Sequence, residues 1–386
     1  MMNDLSARSE TVAKVATAHA DSVDREARFP AEAFGAARSE KLLALQVPAD
    51  LGGEGATIPD VAGICYALGR ACASTGMIFA MHQIMVAILI RHARDSAWHR
   101  ELLGQLLREQ LLIASSTTEG NAGGDLRSSV CAVERSGNRF GLTRDATVMS
   151  YGAEADAILT TARRSADAPP TDQVLVAVLK RDYQLERIHD WQTLGMRGTC
   201  SSGYRLQASG RTEQVLPDSY ASIQMHTMMP VAHLMWSSVW AGVAAAAVER
   251  ARRFIRVAAR RTAGQLPPGA AHLTRASMTL RSLRSAIGSA LLRFEGIGTA
   301  GDQLEQLDFQ NAMNLLKVNA SELATAAVMS CMHACGLAGY RNAGEFSVTR
   351  HLRDVLSSSI MINNDRILAS AATASLLIEA PLYLHD

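Results

Sequence analysis

The sequence predicts an α+β protein that is mainly α, in three consecutive parts. A helical domain covers residues 1–110, a small antiparallel β domain 111–228, and a four-helix bundle 229–386. Three observations predict this. Apolar residues recur with the helical period through the first third of the chain and again from Met229 onward. Between Leu111 and about Pro217 the pattern changes to short β-rich runs separated by turn clusters. And 48% of the 386 residues are hydrophobic while only 5% are aromatic, which is the composition of Ala- and Leu-rich helices.

Residues 4–28 mix Ala, Asp, Arg and Glu with scattered Val and read as an amphipathic helix. Pro30 suits the start of the next, Ala31–Leu45. Val47–Gly55 is a Pro/Gly loop. Thr57 and Pro59 suit the cap and first turn of a helix Pro59–Cys72. Ser74 and Thr75 are placed to cap a helix through Arg91, and Asp95 one over Trp98–Arg108. In the β domain, Leu111–Ala114, Val130–Val133, Ala157–Thr161 and Gln173–Leu179 read as strands, with turns at Ser136–Asn138 and Ala168–Asp172. The bundle helices are expected at Val231–Arg261, Ala271–Gly296, Gln303–Gly336 and from about Asp365 to Glu379, the third opened by an Asp302/Glu305 capping box. Small residues on several faces of these helices suit a bundle that buries one face against another subunit.

A formal net charge of +1 gives no electrostatic footprint for nucleic acid. The six cysteines form no CxxC pair and the sequence shows no secretory signal, so they are expected to be reduced thiols in a cytoplasmic protein. Cys331 and Cys335 share a helical face with His333 between them, but a fourth ligand is missing from the pattern, so no metal is expected there. The apolar run Met77–Ile90 is broken by His82 and Gln83 and reads as a core helix rather than a membrane span.

The chemistry is concentrated in Leu111–Asp156. Thr117-Thr118-Glu119-Gly120-Asn121-Ala122-Gly123-Gly124-Asp125 is a glycine-rich turn, and Val148-Met149-Ser150-Tyr151-Gly152-Ala153-Glu154-Ala155-Asp156 holds a second. The first resembles the Thr-Glu-Pro-Gly-Ala-Gly-Ser-Asp signature of the acyl-CoA dehydrogenase flavoprotein family. The second is similar to that family's Trp-Ile-Thr-Asn-Gly-(x)2-Ala-Asp. Leu194–Ser201 resembles its Leu-Gly-x-Arg-(Gly/Ala)-(Ser/Thr), and His333–Tyr340 its Gln-(x)2-Gly-Gly-x-Gly-Tyr, followed by the matching Arg353-Asp354.

The resemblance implies FAD at the junction of the β domain and the bundle, in a homodimer or homotetramer where the cofactor reaches across an interface. It implies Thr117, Thr118, Gly123 and Ser150 around the flavin ring, and Arg260, His333, Gly336 and Asn364 toward the rest of the cofactor. It also places His82 and Gly124 near the substrate, Gly124 standing where members carry a serine against CoA. Val148 stands in place of the tryptophan that covers the flavin. The family's reaction removes the α-proton of an acyl thioester with a carboxylate and passes the β-hydride to flavin N5. Here the two positions that carry that carboxylate read Ile362 and Ala232. His233 and Asp365 are the replacement candidates, each with a structural alternative: a core histidine and a helix cap. Three functions follow. One is an FAD-dependent acyl-thioester dehydrogenase (acyl-CoA or acyl-carrier protein) passing electrons to an electron-transfer flavoprotein or to dioxygen. The second is a flavin monooxygenase or oxidase on the same fold. The third is an inactive paralogue acting as a structural partner.

Overall fold

The computed structural model describes residues 2–119, 128–298 and 301–379. Five helices come first: α1 (Met2–Glu26), α2 (Ala31–Ser39), α3 (Ile58–Ala71), α4 (Ala73–His92) and α5 (Ala97–Glu109). α2 ends earlier than the apolar period suggests. Lys41 takes a left-handed conformation (φ 54°), and the reversal sends Leu42, Leu43 and Leu45 into the core as a turn. α3 is closed by a full capping box in which Thr57 and Asp60 bond each other's backbone. Ser74 and Thr75 lie inside the first turn of α4, whose N-cap is Cys72 without a side-chain bond, and Ser96 rather than Asp95 precedes α5.

The middle of the chain forms two four-stranded sheets. One has the order β1 (Ile113–Ser116), β4 (Ala157–Arg163), β5 (Gln173–Leu179), β8 (Val215–Ser219); the other β2 (Glu134–Ser136), β3 (Arg139–Ala146), β7 (Gly203–Arg211), β6 (Tyr183–His189). All pairings are antiparallel except β1 with β4, which run parallel. Val130–Val133 is not a strand: it touches the sheets through one bridge, Ala132 to Arg163. The Gln173–Leu179 run is buried along its whole length, the pattern of a central strand covered on both faces.

Helix resumes before Met229. α6 (Tyr220–Ile223), a π-helical turn (Gln224–Met228) and α7 (Met229–Arg261) form one unbroken rod. α8 (Ala270–Ile297) and α10 (Leu307–Cys335) complete three long members of the bundle, with α9 (Gly301–Leu304) and α11 (Leu337–Tyr340) as short connectors. Two short helices, α12 (Thr349–Ile360) and α13 (Asn364–Ser375), close it; α12 escaped the sequence reading. The expected Asp302/Glu305 box does not cap α10, because the helix starts at Leu307 and Glu305 instead accepts from His226 Nε2 (2.9 Å). Glycine lets α3 and α7 cross closely: a Cβ on Gly242 would lie 2.2 Å from Tyr66 O, and one on Gly69 2.4 Å from Val239 O.

By length and composition α4 and the rod Tyr220–Arg261 match a membrane-spanning helix, but 89% of each apolar window is buried inside the protein, as in core helices. The thiols Cys331 and Cys335 are buried on α10, while His333 between them is exposed and packs edge-on against His272 (5.2 Å).

His82, in the middle of α4, is fully buried. Its Nε2–H donates to Leu43 O (2.7 Å) and its Nδ1 accepts from Ile113 N–H (3.0 Å), so one ring ties α4 to the turn after α2 and to β1. Both nitrogens are engaged, and the ring serves as a strut rather than a group free to meet a substrate. Burial, foremost, pushes its pKa down to about 4, so the folded state holds it neutral. Because the folded value lies below the unfolded 6.5, its stabilisation is full above pH 6.5 and is lost as pH falls toward 4. The expected loss across that window is on the order of 3 kcal/mol. Urea unfolding between pH 7 and 4 should show it, and His82→Gln, which can still donate and accept, should flatten that part of the profile.

Candidate functional site

The predicted ring-side residues lie along one edge of the β domain. Thr117 and Thr118 leave β1 half-exposed. The Thr117 side chain is hydrogen-bonded to Tyr220 at the start of the rod. Thr118 Oγ1 donates to Val148 O (3.1 Å), and the Val148 side chain itself is exposed. Two residues on, Ser150 Oγ is 2.7 Å from Ser201 Oγ, which is 2.7 Å from Thr199 Oγ1, which donates to Met196 O (2.8 Å). The hydroxyl chain therefore runs from the second glycine turn into the Leu194–Ser201 stretch.

Three non-glycine residues with positive φ frame this chain: Tyr151 (44°), Met196 (53°) and Cys200 (47°). Tyr151 stands where the family signature has Asn, a residue that tolerates this conformation. The strain costs about 1 kcal/mol, and is offset by the buried phenol donating to Ile113 O (3.0 Å). The Leu194–Met196 turn is fixed to the bundle. Asp354 Oδ1 accepts Met196 N–H (2.7 Å), and Arg353 donates to Leu194 O (2.9 Å) while ion-pairing with Asp24 of α1. A Cβ on Gly195 would fall 2.1 Å from Arg353 O, so this approach needs glycine.

Gly123 and Gly124 lie outside the described residues; Glu119, before them, is tied to Ser129, Val130 and Cys131 after them. Its buried carboxylate accepts from Val130 N (2.9 Å), Cys131 N (3.0 Å) and Ser129 Oγ (2.9 Å), with Arg144 Nη1 at 3.6 Å. Arg144 also donates to Thr161 O (2.6 Å) and is almost wholly buried. Sequence reasoning quoted Glu119 as part of a motif without a role. The signal it could have used is a lone acid entering a glycine loop with no neighbouring base in sequence.

The bundle residues fall into two groups. Arg260 is exposed in the last turn of α7, with no ion pair among the described residues. His333 and Gly336 (φ 54°) sit at the end of α10, and the Gly269 backbone packs against Ala334, so the α7–α8 connection and the α10 turn share one end of the bundle. Asn364 is different: it is buried, its Oδ1 accepting from Lys317 Nζ (2.6 Å) and its Nδ2 donating to Ser321 Oγ (2.8 Å). Lys317 also donates to Ser358 O (2.9 Å) and lies over the Trp240 ring. Burial lowers its pKa to about 8. Asn364 thus has its amide committed to pinning the α12–α13 turn from beneath.

Neither base candidate is set as a tuned carboxylate. Asp365 is exposed in the first turn of α13, and the cap is Asn363, whose Oδ1 accepts from Asp365 N (3.0 Å). His233 is buried, its Nδ1–H donating to Met313 O (2.9 Å) and its ring 6.0 Å from that of Trp236. Burial, reinforced by Lys317, pushes its pKa down to about 4. Ala232 is buried and Ile362 (φ 49°) half-buried in the turn.

The site fits a flavin ring: a row of hydroxyl oxygens (Thr117, Thr118, Ser150), their protons turned to Tyr220, Val148 O and Ser201, can accept from the ring's N–H groups beside an apolar strip at Val148. Models of the acyl-CoA dehydrogenase N-terminal and C-terminal domains match residues 5–110 and 222–375. A dibenzothiophene monooxygenase of Mycolicibacterium goodii is 26% identical over 58% of this chain and 55% of its own, so the chain spans about half of that relative. A cyclohex-1-ene-1-carbonyl-CoA dehydrogenase of Syntrophus aciditrophicus is 23% identical over 92% of this chain and 84% of its own. Among solved structures, FMN-bound TdsC from Paenibacillus sp. A11-2 superposes with TM-score 0.86 at 19% identity, covering 98% of each chain. Glu119→Gln should cost about 3 kcal/mol, because it leaves the Arg144 charge buried and unpaired; urea denaturation checks this.

Proposed function

The chain belongs to the acyl-CoA dehydrogenase family, and on that premise we propose that it is a flavin-dependent monooxygenase. Members of the family are flavin oxidoreductases; the finer reading is ours. The observation that carries it is the missing acid. The two places where the family keeps its carboxylate hold Ile362 and Ala232, Asp365 faces solvent, and His233 is neutral and weakly basic. Removing the α-proton of a thioester needs a base tuned for it, and oxygenation of a substrate heteroatom does not. The similar dibenzothiophene monooxygenase supports the same reading.

A reduced flavin supplies two electrons to dioxygen, so that one oxygen atom enters the substrate and the other leaves as water. The chain's own part is placement. Thr117, Thr118 and Ser150 would hold the ring edge as hydroxyl acceptors, and the Ser150–Ser201–Thr199 chain, whose protons run toward Met196 O, keeps the Ser150 hydroxyl oriented. Val148, in place of a covering tryptophan, leaves the adjoining surface open. FAD is the flavin that the family resemblance implies. Arg260 and the His333–Gly336 turn stand free at one end of the bundle to meet a partner subunit's cofactor. Exposed Met278 and Leu292 on α8 and Leu315 and Met329 on α10 support a homo-oligomer.

A second reading, an acyl-thioester dehydrogenase, is favoured by one observation: the similar cyclohexenecarbonyl-CoA dehydrogenase aligns over 92% of the chain.

With a separate reductase supplying reduced flavin under labelled dioxygen, one labelled oxygen should appear in a sulfur-, nitrogen- or aromatic-ring substrate. Anaerobic bleaching of the oxidised-flavin band by an acyl-CoA thioester, without that label, would replace this reading by the second. Arg260→Ala should raise the flavin Kd about tenfold, the loss of one charge-assisted hydrogen bond, with the assembly's mass unchanged in light scattering.

A further inference from the structure

Away from the hydroxyl chain, a groove of about 990 Å³ opens where α1, α3, α7 and α12 meet. Its floor reaches Arg250, which is 17 residues beyond His233 on α7, or about 25 Å along the helix. The size is within the range of small-molecule sites. Charge sets it apart from an ordinary packing defect.

Four guanidinium groups line it: Arg70 from α3, Arg250 and Arg253 from α7, and Arg350 from α12. The carboxylates along the same walls are engaged elsewhere. Glu10 pairs with Lys14 (3.2 Å), Asp60 caps α3 through Thr57, and Glu249 pairs with Arg252 (2.6 Å). Asp21 reaches into the arginine cluster, 3.2 Å from Arg350, and is itself largely solvated; Glu249, though bonded to Arg252, also lies close enough to Arg253 and Arg70 for both to favour its charge, so two carboxylates face four guanidinium groups. Arg253 meets Glu345 at 3.8 Å. Arg250 donates to the carbonyls of Glu345 and Ser347 (3.1 Å each) and, like Arg70, makes no ion pair among the described residues. Partly buried positive charge without a matching anion is unfavourable, and a bound anion relieves it.

A second observation points to the same place. His351 lines the groove, is 5% exposed, and its Nδ1 has no hydrogen-bond partner. A buried imidazole nitrogen left unbonded costs about 1–3 kcal/mol unless something outside the chain satisfies it. Burial first, then Arg350 and Arg250, hold the ring neutral, which leaves it one N–H to give.

We propose that this groove binds an organic phosphate, with a phosphate oxygen accepting from His351 Nδ1–H between Arg250 and Arg350. Arg70 and Arg253 stand at the open rim and complete the neutralisation of a dianion. Ile64 and Ala67 of α3 give the organic part an apolar wall. Phosphate suits four planar donors better than a single carboxylate would.

The test is equilibrium binding of phenyl phosphate to the purified full-length chain, at low and at physiological ionic strength. Wild type should bind saturably and more weakly at the higher salt. Arg70→Ala and Arg253→Ala remove rim charges from exposed positions and should each weaken binding about tenfold. His351→Phe should weaken it similarly while leaving the ligand-free melting temperature unchanged or higher. The absence of saturable binding by wild type, or equal affinity in wild type and all three variants, overturns the proposal.

Discussion

Arg353 and Asp354 hold three parts of the chain at one point. Arg353 reaches α1 through Asp24 and the β domain through the Leu194 carbonyl; Asp354, one residue on, turns inward and takes the Met196 amide. Asp354 is buried, which raises its pKa to about 6, with Arg350 and the Met196 bond pulling back toward the charged form. The hydroxyl chain Ser150–Ser201–Thr199 ends on the Met196 carbonyl. The placement of the Ser150 hydroxyl thus depends on a carboxylate in α12, in the next domain along the chain. Helical domain, β domain and bundle meet around this anchor.

The large divisions were legible because periodicity is a local property. The Gln173–Leu179 strand, the rod ending at Arg261 and the Thr57 cap all follow from residues within a few positions of one another. What failed was set by distant contacts. Val130–Val133 has strand composition, but Glu119 takes its amides before a sheet can. Asn364 matched a cofactor position by count, yet Lys317, 47 residues away, occupies its amide oxygen. His82, expected near the substrate, has both ring nitrogens claimed by Leu43 and Ile113. The hydroxyls Thr117, Thr118 and Ser150 were named from motif alone. The Ser201–Thr199 continuation of their chain was not, since its members come together only through the positive-φ turn at Cys200.

The turn between α12 and α13 shows how the missing acid is accommodated. Ile362 and Asn363 both have positive φ, Asn363 caps the next helix, and Lys317 with Asn364 secures the turn from below. The buried Lys317 is bonded to a backbone carbonyl and an amide rather than to a carboxylate. The position that would otherwise carry an acid is apolar and belongs to a self-sufficient turn. The bundle therefore keeps its shape without depending on the residue that would define thioester chemistry.

The π turn at Gln224–Met228 holds its five residues at a pitch that an ordinary helix would not. His92 binds Thr227 and Asp218 on either side of the turn's start, so the segment is fixed against α4. Removing one residue there would restore regular winding and swing everything upstream by about 100° relative to His233. Tyr220 would lose Thr117, and the edge of the sheet would no longer face the bundle. Insertions and deletions among descendants of this chain should therefore collect in the connections between helices and spare residues 224–228, where chain length is as constrained as residue identity.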